Sequence, residues 1–195
     1  MTASIGSDRP ELDWDALFQE LTQSPMQIAI VVAGGGSGAV ARCFRRPGAS
    51  QVFVEAVIPY SRTALAGYLA AEPRGTNASA RRASQLADTA LSRALALAER
   101  EPPYETVGVS LVAALPTTVK RRGSDRIHVA LHTQSRRIVW SLDMSKDAID
   151  RQTAESIADE MIFIALSELA HPQDPSGKAD IGSRLGGFPL TRKDG

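Results

Sequence analysis

The stretch that decides the fold is MQIAIVVAGGGSGAVARCF, residues Met26 to Phe44. Met26 to Ala33 is short, apolar and rich in β-branched residues, with Pro25 before it and glycines after it. Such a run predicts a strand buried on both faces, as in a sheet covered by helices. Gly34-Gly35-Gly36-Ser37-Gly38 follows, and AVARCF then reads as a helix. This order brings backbone N–H groups to the start of a helix, where the aligned peptide dipoles favour an anion. Gly34, Gly35, Gly36, Ser37 and Gly38 are therefore candidate ligand-binding residues. The pattern is neither a Walker loop, since no Lys follows the last glycine, nor the GxGxxG dinucleotide fingerprint with its acidic partner. A tight turn with no ligand is the alternative. Ser37 suits a helix cap or a phosphate contact. As a nucleophile it lacks a neighbouring base, because the three histidines are His128, His132 and His171.

Working outward, Asp13 to Thr22 places Leu12, Leu17, Phe18 and Leu21 at helical spacing, and Ser24-Pro25 ends that helix. Gln51 to Ile58 reads as a second strand stopped by Pro59, and Ser61 caps a short helix reaching Leu69. Ala78 to Arg100 is rich in Ala and Leu and predicts a long helix closed by Pro102-Pro103. Thr106 to Ala114 is a third strand. Arg126 to Gln134 alternates, with Ile127, Val129 and Leu131 on one side. Arg137 to Asp143 pairs with it as a hairpin. Ser145 is expected to cap a last helix running to about Ala170, with Ile149, Ile157, Met161, Ile164 and Leu166 on its apolar face, and with Asp143, Asp147 and Asp150 as acids favoured by its dipole. Residues 171–195 have little periodicity and read as a loosely docked tail. The expected organisation is a lead-in over 1–25, one domain over 26–170 and the tail. Early alternation of helix and strand with a late hairpin makes this an α/β protein, a three-layer α/β/α sandwich with a mixed sheet.

Composition narrows the classes. Lys plus Arg is 22 and Asp plus Glu is 22, so a zero net charge gives no global pull toward nucleic acid or a membrane surface. No apolar run approaches the ~20 residues of a membrane span. The polar start lacks a secretory layout, and a cytoplasmic location is expected. The single cysteine excludes an internal disulfide framework. Cys43 reads as a small buried hydrophobe rather than a reactive thiol. One Cys and three scattered His offer no metal-ligand spacing, so neither metal nor cofactor is expected.

The dense basic cluster is Lys120, Arg121, Arg122 and Arg126. Folded toward the glycine turn it would complete a phosphate or nucleotide pocket through bidentate arginine contacts; the alternative is a solvated loop. His128 falls beside Arg126 and opposite Ile127 and Val129, on a polar face where most histidines have no chemical role.

The residues from Ile28 to Ala41, then Pro47-Gly48-Ala49-Ser50, Val54-Glu55 and Pro59-Tyr60-Ser61, resemble the C-terminal domain of CinA proteins, the nicotinamide-nucleotide amidase family. That family reads T-A-E-S-C-T-G-G-L-I-A, then P-G-(A/S)-S, then a strand ending in V-x-Y-S-N-E-x-K. The segments Ala78–Leu91, Val107–Pro116 and Lys146–Thr153 follow in the family's order, so the resemblance spans about residues 26–170. It implies a Ser/Lys amidase scaffold, in which a serine attacks the carboxamide of nicotinamide mononucleotide and a lysine acts as base. Carried across, the serine position is Gly34, its neighbouring glutamate is Ala33, the lysine position is Leu65 and a threonine position is Leu111. Tyr60 and Ser61 are kept, and Arg151 stands beside Asp150, where the family has an arginine. Glycine has nothing to attack with, and leucine accepts no proton. The Gly-Gly-Gly-Ser turn with Arg122-Gly123-Ser124-Asp125-Arg126-Ile127-His128 is similar to a divergent subset of these modules.

The resemblance thus implies a domain that has lost the amidase reaction and binds a phosphate-bearing metabolite or pyridine nucleotide through Gly34–Gly38, Tyr60, Ser61, Arg62, the 120–126 loop and Arg151. Two alternatives stand beside it: an amidohydrolase rebuilt around Ser37, Tyr60 or His128, and a structural or interaction module. The family's pairing implies a homo-oligomer, with Phe188-Pro189-Leu190 suited to docking on a neighbouring subunit.

Overall fold

The computed structural model describes residues 12–71, 75, 77–98, 104–118, 123–146, 148–171 and 185–195. The first strand, β1 (Met26–Ala33), lies where its apolar run predicts and is buried almost throughout. Its alternate side chains serve two cores. Ile28, Ile30 and Val32 enter one cluster, and Ala29 and Val31 enter the other. Each of the three larger ones is exposed by 1% or less, which stabilises the fold by about 1.5–3 kcal/mol per side chain.

The remaining elements are α1 (Trp14–Gln23), α2 (Ser37–Phe44), β2 (Phe53–Val57), α3 (Arg62–Leu69), α4 (Ala80–Leu97), β3 (Glu105–Ala114), β4 (Asp125–His132), β5 (Arg137–Met144), α5 (Arg151–Ala170) and β6 (Leu190–Asp194). The sheet order is β2-β1-β3-β4-β5-β6. The first three strands are parallel and the rest antiparallel, a mixed sheet. Helices α1, α2 and α5 cover one face, while α3 and α4 cover the other. Among the described residues, no helix is long and apolar enough to cross a membrane.

The α4 layer sits close because the residues between it and the sheet are small. Ala83, Ala87, Ala90 and Ala94 face β3, where Gly108 lies so near that a Cβ there would stand 2.2 Å from the Ala87 carbonyl oxygen. Ser110 completes the seam, its hydroxyl donating to the Ala83 carbonyl at 2.6 Å.

Two expectations are corrected. The last helix starts at Arg151, not Ser145. The Ser145 carbonyl instead accepts the Ala148 N–H in a turn, and the Asp150 carboxylate caps the helix by accepting the Thr153 N–H at 2.8 Å. Those bonds hold the Asp150 carboxyl below the usual range. Asp143 belongs to β5, and Asp147 lies outside the described residues.

The tail also does more than dock loosely. Leu190–Asp194 adds a sixth, edge strand to this chain's own sheet, antiparallel to β5, while Phe188 and Leu190 pack on the larger core. Of Phe188-Pro189-Leu190, expected to suit a neighbouring subunit, Leu190 pairs with the chain's own β5. Glu168 of α5 fastens the strand. This carboxylate, 6% exposed, accepts from Arg192 at 2.8 Å and from Arg136 at 2.7 Å, and the Arg192 guanidinium lies 5.6 Å over the Trp140 ring.

Candidate functional site

The chain leaves β1 toward one face of the sheet, through α2, and leaves β2 toward the other, through α3. In the order β2-β1-β3 the crevice where open α/β sheets usually hold a ligand lies between the carboxyl ends of β1 and β3, and β2 ends on the same side of the sheet. Topology thus brings Gly34–Gly38, which follow β1, to the same end of the sheet as Tyr60, Ser61 and Arg62, which follow β2. Tyr60 is 83% exposed. Ser61 is the N-cap of α3, its hydroxyl accepting the Ala64 N–H at 3.0 Å. Arg62, the first residue of that helix, is exposed.

The glycine turn is closed from inside. Gly34 has φ +87°, and a Cβ there would lie 2.1 Å from the Ala113 carbonyl oxygen at the end of β3. Only glycine fits such a backbone. A Cβ on Gly35 would meet Leu115 Cδ1 at 2.6 Å, and Gly36, at φ +80°, lies over Leu111. The amides expected to be open to a phosphate are partly spent. The Gly36 N–H donates to Glu155 Oε2 at 2.9 Å, and the Ala39 N–H to Asp159 Oδ1 at 2.8 Å, with the Gly38 N–H adding to the second carboxylate. The dipole and orphan amides of a helix start do attract an anion here, and the chain itself supplies it from α5. Ser37 opens α2 and is exposed.

Glu155 and Asp159 were not among the residues singled out from the sequence. Their signal was Arg151, Glu155 and Asp159 at intervals of four, one stripe along a helix. Burial pushes the Asp159 carboxyl up to about 6, against the Ala39 N–H and Arg42, which lower it, and with Glu155, which raises it. Arg151, expected to contact a ligand, is engaged within the chain. Its guanidinium binds Glu155 at 2.5 Å and reaches the carbonyls of Pro116 and Gly34 at 3.2 and 3.4 Å. It thereby ties the β1 turn to the end of β3.

Lys120, Arg121 and Arg122 lie outside the described residues. Arg126 is on the α4 side, donating to the Ala78 carbonyl at 2.9 Å. His128 faces the same side, as its parity predicted, but is buried rather than on a polar surface. Its Nδ1 lies 2.8 Å from Ser141 Oγ, and burial, aided by Arg126, holds its pKa below the ordinary value. Ser37 and His128 are not brought together: β1 and β4 are two strands apart, roughly 9–10 Å, and the two residues serve opposite helical layers. Leu65 is 3% exposed in the α4-side core. Cys43 is a buried hydrophobe as expected, its thiol pushed up to about 12 by burial. Among the described residues, no group of three His, Cys, Asp or Glu is placed to hold a metal.

By sequence, the chain matches no protein-family model and no curated protein. By structure, the mixed α/β sandwich has the same fold as solved proteins of the CinA superfamily. It is similar to the competence/damage-inducible protein CihA from Agrobacterium tumefaciens, with a TM-score of 0.61 at 16% identity over 86% of this chain and 99% of that one. It is also similar to CinA superfamily proteins from Enterobacter cloacae, with a TM-score of 0.58 at 13% identity over 89% and 99% of the two chains, and from Escherichia coli, with 0.58 at 14% over 87% and 97%.

Proposed function

We propose that this chain is a CinA-like domain that does not cleave amides and works as an interaction module, its crevice filled by its own side chains. The observation that carries the reading is the backbone at Gly34. The position corresponding to the family's nucleophile is left-handed and pressed against the Ala113 carbonyl, so it has no room for a serine side chain. The position corresponding to the base is Leu65, in the core. A lysine ammonium there would be costly to desolvate, and leucine takes no proton. Incubation of the pure protein with nicotinamide mononucleotide is expected to release no ammonia. Turnover that disappears in Ser37→Ala would establish a rebuilt hydrolase and overturn the proposal.

A second reading, a phosphate-bearing metabolite or pyridine nucleotide held at the 34–38 turn, is favoured by Arg151, whose side chain is 44% exposed beside that turn. Such a ligand must compete with Glu155 for the Gly36 amide. Calorimetric titration with nicotinamide mononucleotide, its acid and AMP separates the two: flat heats support the interaction module, and saturable heat lost in Arg151→Ala supports the ligand. The homo-oligomer implied by the family resemblance belongs to the first reading, and light scattering that gives a monomer would remove it.

A further inference from the structure

Two contacts fix how α4 lies on the sheet. Ala87 stands over Gly108, and the Ser110 hydroxyl donates to the Ala83 carbonyl. Each turn of the helix thus matches two residues of β3, and one more step sets Ser79, the N-cap, over Val112. The register partner of Val112 on β4 is His128. Asp88 marks the flank of α4 that faces β4, since its carboxylate meets His132 at 2.8 Å. Arg81 stands about two turns before Asp88, so it shares that flank, and its side chain is exposed. Arg126, on the same face of β4 as His128, donates from Nε to the Ala78 carbonyl at 2.9 Å, just before the cap. The start of α4 therefore gathers Arg81, Arg126 and His128 around one point.

His128 is 8% exposed. Its Nδ1 faces Ser141 Oγ on β5, so the far nitrogen of the ring, Nε2, turns away from β5 toward the helix. Nε2 is buried and has no hydrogen-bond partner among the described residues, a costly state for a polar atom. With Nδ1 accepting the Ser141 hydroxyl, Nε2 carries the ring proton and offers it to the helix start. There the Ser79 side chain accepts the Arg82 N–H and the Ser79 carbonyl accepts the Ala83 N–H. The N–H groups of Ala80 and Arg81 have no helical acceptor. Asp143, opposite Arg126 in the β4–β5 ladder, is an exposed carboxylate near the ring and partly offsets the two guanidiniums.

We propose that the start of α4 is a binding site for a phosphate group: Arg81 and Arg126 flank it, and the Ala80 and Arg81 amides and His128 Nε2 donate to its oxygens. Donors that arrive from a helix end, a strand guanidinium and a ring beneath suit a tetrahedral phosphate better than a planar carboxylate. The site lies in the opposite helical layer from the 34–38 turn. It stands whether or not that crevice takes a ligand.

The test is heteronuclear NMR of the whole protein titrated at constant ionic strength with inorganic phosphate and, separately, with phenyl phosphate. The expected result is a saturable shift of the Ala80 and Arg81 amides and of His128 Nε2, with the Gly36 amide unmoved. Tighter binding of phenyl phosphate identifies a phosphate monoester as the ligand, and tighter binding of inorganic phosphate identifies the free ion. Arg81→Gln and Arg126→Gln should each weaken binding about tenfold, and Arg151→Ala should leave it unchanged. Arg126 also holds the Ala78 carbonyl, so if Arg126→Gln does not fold, Arg81→Gln on its exposed side chain decides the matter. Shifts that sodium chloride reproduces, shifts confined to Gly36, or full affinity in Arg81→Gln overturns the site.

Discussion

Placing serine at position 34 would restore the family's nucleophile in name, and the structure sets what that costs. Gly34 has φ +87°, where a side chain costs about 1–2 kcal/mol. The new Cβ would also stand 2.1 Å from the Ala113 oxygen. A normal contact is more than an ångström longer, and the obstacle is backbone held in the β1–β3–β4 ladder, so the strand end must shift. Overpacking of this kind typically costs a further 1–3 kcal/mol. Gly34→Ser should therefore lose about 2–5 kcal/mol, a large part of the roughly 5–15 kcal/mol that holds a domain together. Urea denaturation followed by circular dichroism reads the loss as a fall in midpoint at unchanged slope. No ammonia should be released from nicotinamide mononucleotide, because position 65 is still leucine. If Gly34→Ser is as stable as the parent, the backbone does not exclude a side chain there and the central argument for a non-hydrolytic domain falls.

Two further outcomes follow from features away from the turn. Gly108→Ala should destabilise by about 3 kcal/mol or more, since its methyl group would meet the α4 backbone; thermal melting checks this, and an unchanged midpoint would mean that α4 rides further from the sheet. Glu168→Ala removes the partner of Arg136 and Arg192 and should cost about 2–4 kcal/mol, with amide exchange in β6 rising first; slow β6 exchange in the variant would show that the backbone ladder alone holds the strand.

The parallel half of the sheet was legible because its strands are short, mostly apolar runs rich in β-branched residues and two of its helices carry their caps in sequence: Ser61 and Ser79 both hold the first turn they precede. The start of α5 was not, because Ser145 and Asp150 are both good caps and only the chain's exit from β5 chooses between them. The strand β6 escaped notice because an edge strand needs little apolar alternation, and Leu190–Asp194 is mostly charged. At the turn, the glycines announced a close approach of backbone but not what approaches. The Glu155 and Asp159 contacts cross 119 and 120 residues, and no local pattern encodes them. The placement of Arg126 and His128 away from Ser37 depends on sheet order, which adjacency in sequence does not reveal.

The fit of Asp159 against Gly38 bears on how this chain compares with its relatives. A glycine at 38 leaves the space that the Asp159 carboxylate fills, so a side chain at 38 requires that carboxylate to move aside or shorten. In a deep alignment the two columns should covary, aspartate accompanying glycine and a shorter or neutral residue accompanying a bulkier one, and this pairing would serve as a sequence signature for locating other members built the same way.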